Sequence, residues 1–214
     1  MGKTDRKTLC ISDANSLIYF RDIYLGRYYL PSLLARHFDL IMSEEIPIEV
    51  NRVASRLGVS IKKLETICKS AKKKISHKWD FEQALRGCPY DVDKLDSGEK
   101  DNCSLALQEA SRTKMLIVFL TDDEQARKRA IDSIFQMIPI GVVWSSHDLL
   151  LHLFFHYRRS KVFTLKEAEA VMRDINARVA ATPGSNPLPD KWRKVLIDYT
   201  ERLRHAERVI RLMP

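Results

Sequence analysis

Short apolar runs that end on aspartate place the strongest constraint on what this chain can fold into. Leu9-Cys10-Ile11-Ser12 runs directly into Asp13, and Met115-Leu116-Ile117-Val118-Phe119-Leu120-Thr121 runs into Asp122-Asp123. Each run has the length of a buried strand, and each is followed by a helical pattern, with Leu17, Ile18 and Ile23 recurring after the first. Strands alternating with helices predict an α/β domain with a largely parallel sheet. A carboxylate at the C-terminal edge of such a strand is poorly placed for packing and well placed for binding a cation.

The intervening sequence extends this pattern. A helix is expected from Asn15 to Tyr24, a second from about Ser32 after Pro31, and a strand over Asp39–Ser43. Pro47 suits the first turn of a further helix, which would carry Glu45 and Glu49 on one face, four residues apart. From Val50 to about Lys78 the chain reads as helical and basic, with Lys62, Lys63, Lys69, Lys72, Lys73, Lys74 and Lys78 on its surface. Gly98-Glu99 opens a helix through Leu105 and Ala110. Another helix is expected from Asp123 through Ile131, and a last strand over residues 136–143. Helices follow over Ser146–Tyr157 and, after a Thr164–Glu167 capping box, over Leu165–Val179. Thr182–Pro189 reads as a linker, and residues 191–214 as an amphipathic helix that packs back on the domain or meets a partner. The expected organisation is thus a domain over 1–180 with a basic helical insert at 50–95, a linker over 181–190 and a terminal helix.

Composition bears on the partner. The 214 residues are 45% hydrophobic and 30% charged, enough for a substantial core and too apolar for global disorder. A net charge of +8 favours an acidic partner such as nucleic acid. Four cysteines without metal-site spacing, and an N-terminus broken by Lys3, Asp5, Arg6 and Lys7, predict a reduced, cytoplasmic protein with no secretory signal. No apolar stretch is long enough to predict a membrane span.

Acids against this basic background point to metal-dependent chemistry on a polyanion. Hard cations such as Mg²⁺ and Mn²⁺ prefer oxygen ligands, and hydrolysis of a phosphodiester needs an activated water and a neutralised leaving oxygen. Converging carboxylates hold such an ion, and no His, Cys or Ser nucleophile is then required.

The same residues carry a family resemblance. Ile11-Ser12-Asp13-Ala14-Asn15-Ser16-Leu17-Ile18, Ile46-Pro47-Ile48-Glu49-Val50, Gly98-Glu99 ahead of Leu105-Ala106, and Leu120-Thr121-Asp122-Asp123-Glu124-Gln125-Ala126-Arg127 together resemble a PIN-domain protein of the Gly-Glu, double-Asp branch, over about residues 8–178. The resemblance implies a three-layer α/β/α sandwich and a Mg²⁺- or Mn²⁺-dependent ribonuclease. It makes Asp13, Glu49, Glu99 and Asp123 the catalytic and metal-site acids, with Asp122 an adjacent ligand or orienting group. Glu45 competes with Glu49 for its position, and Asp101 with Glu99. Asn15, Arg127, Lys72 and Lys73 are the expected substrate contacts. Many proteins of this type are toxins held by a cognate antitoxin and others process RNA, so RNA, an antitoxin and a second copy are the implied partners.

Other readings compete. Asp13 and Asp122 could be helix caps, a common use of aspartate. Val53–Glu65 resembles a helix-turn-helix, so a DNA-binding regulator built on residues 50–75 is one alternative, and a non-catalytic PIN-like module that binds RNA or protein is another. His152 and His156 have metal spacing on a helix, but Leu153 stands where a zinc-protease motif needs Glu, and their apolar neighbours make them core or boundary histidines.

Overall fold

The computed structural model describes residues 8–85, 95, 97–123, 140–181 and 189–213. Leu9–Ser12 forms β1 and Ala14–Tyr19 forms α1. The expected continuation of α1 to Tyr24 is corrected: a small antiparallel hairpin of β2 (Tyr24–Leu25) and β3 (Tyr28–Tyr29) takes over. Gly26, at φ +57°, supplies the positive φ that a two-residue hairpin turn requires. Then come α2 (Leu30–His37, Pro31 in its first turn), β4 (Asp39–Ser43) and α3 (Glu45–Leu57), which stops at Gly58 in the left-handed conformation.

The basic run differs from expectation in one part. Lys62–Ser70 is helix α4, but Lys72–Lys74 is a strand, β5, pairing in parallel with β4 through Ile41↔Lys72 and Ser43↔Lys74. Lys72 and Lys74 therefore lie on the outermost strand of the sheet among the described residues, where charged side chains discourage pairing with another chain. The remaining elements are α5 (Lys78–Leu85), α6 (Ser97–Thr113), β6 (Ile117–Leu120), β7 (Gly141–Trp144), α7 (Ser146–Arg158), α8 (Leu165–Ala180) and α9 (Pro189–Leu212). The helix expected over Asp123–Ile131, residues 136–139 of the last strand and most of the linker lie outside the described residues.

Among the described residues the main sheet has five strands in the order β5-β4-β1-β6-β7, all parallel. Alternate residues of each strand enter two different cores, as the period of two demands. Cys10, Leu40, Met42, Val118 and Leu120 pack with α1, α2, α3, α7 and α8. Leu9, Ile11, Ile41, Ile117 and Phe119 pack with α5 and α6. Helices thus cover both faces, which is why the central strands are apolar throughout. The thiol of Cys10 lies in the first core, where burial pushes its pKa up to about 12 and keeps it an inert packing group.

The terminal helix docks on the domain. Leu203 and Ala206 of α9 are buried against α7 and α8, and Arg158 of α7 donates two hydrogen bonds to Glu207, at 2.7 and 2.8 Å. Among the described residues no helix is long and apolar enough to cross a membrane.

Candidate functional site

The strand order reverses between β1 and β6: the chain leaves β1 for β4 on one side and leaves β6 for β7 on the other. In a parallel α/β sheet such a switch point opens a crevice outside the carboxyl ends of the strands, where ligands bind. The three strands on that side end level, since Ser12, Leu120 and Trp144 share one register position. The residues one step beyond are Asp13, Thr121 and Ser145. Asp13 donates its N–H to the Leu120 carbonyl at 2.8 Å, and Thr121 donates its own to Trp144 at 2.9 Å.

Asp13 occupies the N-cap position of α1, yet its side chain makes no capping hydrogen bond. Its carboxylate is half-buried and instead accepts from the Thr121 hydroxyl at 3.4 Å. That hydroxyl also accepts the backbone N–H of Asp123 at 3.2 Å. Thr121, itself buried, therefore joins the aspartate after β1 to the backbone of the aspartate pair after β6.

The two members of that pair differ. Asp122 accepts from the Ser16 hydroxyl and the Ser146 N–H, each at 2.9 Å, and from the Ser146 hydroxyl. It satisfies an orphan N–H at the start of α7, a helix further along the chain, while the helix expected directly after it lies outside the described residues. Asp123 is exposed. The partners of Asp122 had no assignment from sequence. The signal that could have found one of them is Ser145-x-x-Asp148, a capping box that starts α7 at Ser146.

The acids following β4 and opening α6 divide in a similar way. Glu45 begins α3 directly after β4, whereas Glu49 lies one turn further on, 3.5 Å from Arg52. Glu99 is half-buried in the first turn of α6, while Asp101 is buried and accepts from the Ser76 hydroxyl. Glu45 and Asp101 line one cleft of about 480 Å³. These two acids thus face a common space at the carboxyl ends of β4 and β5.

The expected substrate contacts are dispersed. Asn15 is half-buried in α1, two residues past Asp13. The Lys72 ammonium pairs with Asp39 at 3.2 Å, at the amino end of β4 and so away from the crevice. Arg127 and the side chain of Lys73 lie outside the described residues. Lys74 reaches buried Glu109 at 2.9 Å, and Arg112 meets the same carboxylate at 2.6 Å. Burial pushes Glu109 up, but these two cations outweigh it and hold the group below the ordinary carboxylate range.

Among the described residues no group of three or more His, Cys, Asp or Glu side chains is placed to hold a metal ion. Mg²⁺ does not need one: it keeps several waters and binds through one or two carboxylates plus substrate phosphates. The Asp13 carboxylate, which makes no capping hydrogen bond to its own helix, is an oxygen donor of the kind such an ion takes. Comparison with protein-family models, curated proteins and solved structures found no match to this chain.

Proposed function

We propose that the chain is a PIN-like, Mg²⁺- or Mn²⁺-dependent endoribonuclease whose reaction centre lies at the carboxyl edge of β1 and β6. The observation that carries the reading is the Thr121 hydroxyl, which joins the Asp13 carboxylate to the Asp123 backbone where the crevice opens. Asp13 and Asp123 would hold the ion, with Glu49 and Glu99 completing its surroundings. When bound, the ion supplies an activated water and neutralises charge on the leaving oxygen. Asp13 sets the position of that chemistry because β1 is fixed between β4 and β6. Thr121 orients Asp13, and Asp122 orients the loop by anchoring it to Ser146. RNA as substrate accords with the net charge of +8. A cognate antitoxin and a second copy of the chain are the partners this reading carries with it.

Labelled RNA and DNA incubated with Mn²⁺ and with EDTA provide the test. Cleavage of RNA that EDTA abolishes, and that Asp13→Asn removes without altering the circular dichroism spectrum, is the expected result. Full activity of Asp13→Asn would sink the proposal. EDTA-insensitive binding to duplex DNA without cleavage would favour a regulator using the α3–α4 hairpin, and RNA retention without cleavage would favour a non-catalytic module.

A further inference from the structure

The cleft of about 480 Å³ at the carboxyl ends of β4 and β5 carries an unusual rim. Trp79, in the first turn of α5, is 70% exposed, and Ile75 beside it is 69% exposed. An indole this exposed contributes little to the core, and its flat apolar face borders a polar cleft. Ser43 lies at the base; it is 2% exposed and its hydroxyl has no hydrogen-bond partner among the described residues. Glu44, Glu45 and Asp80 line the walls, while the Lys74 ammonium is committed to Glu109.

The charge of the cleft selects which part of a nucleic acid it can admit. Its carboxylates repel phosphate, but they accept hydrogen bonds from amino groups on base edges, as Glu and Asp do from cytosine N4. Aromatic side chains stack on unpaired bases, the main route by which single strands are held. We infer that this cleft receives one unstacked base of single-stranded RNA, with Trp79 stacked on its face and the wall carboxylates favouring bases that bear an exocyclic amino group. Adenine, cytosine and guanine are accepted, and uracil, whose carbonyls would face carboxylates, is disfavoured. Neighbouring strands lie about 4.8 Å apart, so the cleft is roughly 10 Å from Asp13, and its base flanks the phosphodiester held there. The inference rests on the ribonuclease reading for its substrate and adds a specificity subsite to it.

The test uses the full chain carrying Asp13→Asn, in Mg²⁺, with fluorescent oligoadenylate, oligocytidylate and oligouridylate. Binding is expected to be about tenfold tighter for the first two than for oligouridylate. Adding Trp79→Ala should weaken oligoadenylate binding about tenfold, whereas Trp79→Phe should stay within about twofold, since one base–aromatic stack is at stake. Unchanged affinity in Trp79→Ala, or oligouridylate binding as tight as oligoadenylate, would overturn the inference. Cleavage by the chain with Asp13 intact is scored separately. Metal-dependent cleavage with binding indifferent to Trp79 removes the base subsite alone. Trp79-dependent binding with no cleavage removes the nuclease reading and leaves the subsite standing.

Discussion

Asp122 and Ser146 are joined twice, through the backbone N–H at 2.9 Å and through the hydroxyl, although 24 positions separate them. This pairing ties the loop after β6 to the start of α7, and Ser16 adds α1 to the same carboxylate. The two adjacent aspartates therefore have separable consequences. Asp122→Ala leaves a buried N–H unsatisfied and removes hydrogen bonds to a charged group, and should cost about 2–3 kcal/mol of stability, read as a lowered unfolding midpoint. Asp123→Ala, at an exposed position, should change stability by less than about 0.5 kcal/mol while abolishing metal-dependent cleavage. Equal midpoints for the two variants would contradict this division.

His152 and His37 make a second long-range contact, with Nε2 to Nε2 at 2.8 Å. One imidazole must accept while the other donates, so both cannot be protonated together. Burial, with His156 adding to it, holds His152 below its ordinary value. The unfolded chain then takes up the proton more readily, so stability is complete above the unfolded value of about 6.5 and falls as pH drops through it. The unfolding midpoint should be lower at about pH 5.5 than at about pH 7.5, and His152→Gln should shrink that difference. An unaltered pH slope in the variant would exclude His152 as its source.

Glu207 anchors α9. Its buried carboxylate accepts two hydrogen bonds from Arg158 and one from Arg211 at 3.1 Å, and the Arg158 contacts hold it below the ordinary carboxylate range. Glu207→Ala leaves the Arg158 guanidinium unpaired at a mostly buried position, and should cost roughly 3 kcal/mol. The loss should be local as well as global: amide exchange across 189–212 should accelerate far more than in β1 or β6. Uniform acceleration would show instead that α9 is not a separate unit of stability.

Much of the fold was readable because two periodicities are written locally. Leu9–Ser12, Asp39–Ser43 and Ile117–Leu120 are strands with few polar interruptions, and Thr164-x-x-Glu167 marks its helix start by a hydrogen-bonding pattern that needs no tertiary context. Lys72–Lys74 reads as helix because a run of lysines favours helix intrinsically; only the open edge of β4 makes it a strand. The Tyr24–Tyr29 hairpin leaves no local signal for a related reason, its two-residue strands being too short to show alternation.

At the crevice, the sequence by itself determined which acids follow strands, since Asp13 and the Asp122-Asp123 pair adjoin apolar runs of strand length. Only the tertiary structure decided what each carboxylate does. Asp13 turns from its own helix to Thr121, Asp122 is consumed by Ser16 and Ser146, and Glu45 shares a cleft with Asp101 and the exposed indole of Trp79. Strand identity follows from neighbours along the chain, whereas the partner of a carboxylate is set by crossovers that bring together groups over a hundred residues apart.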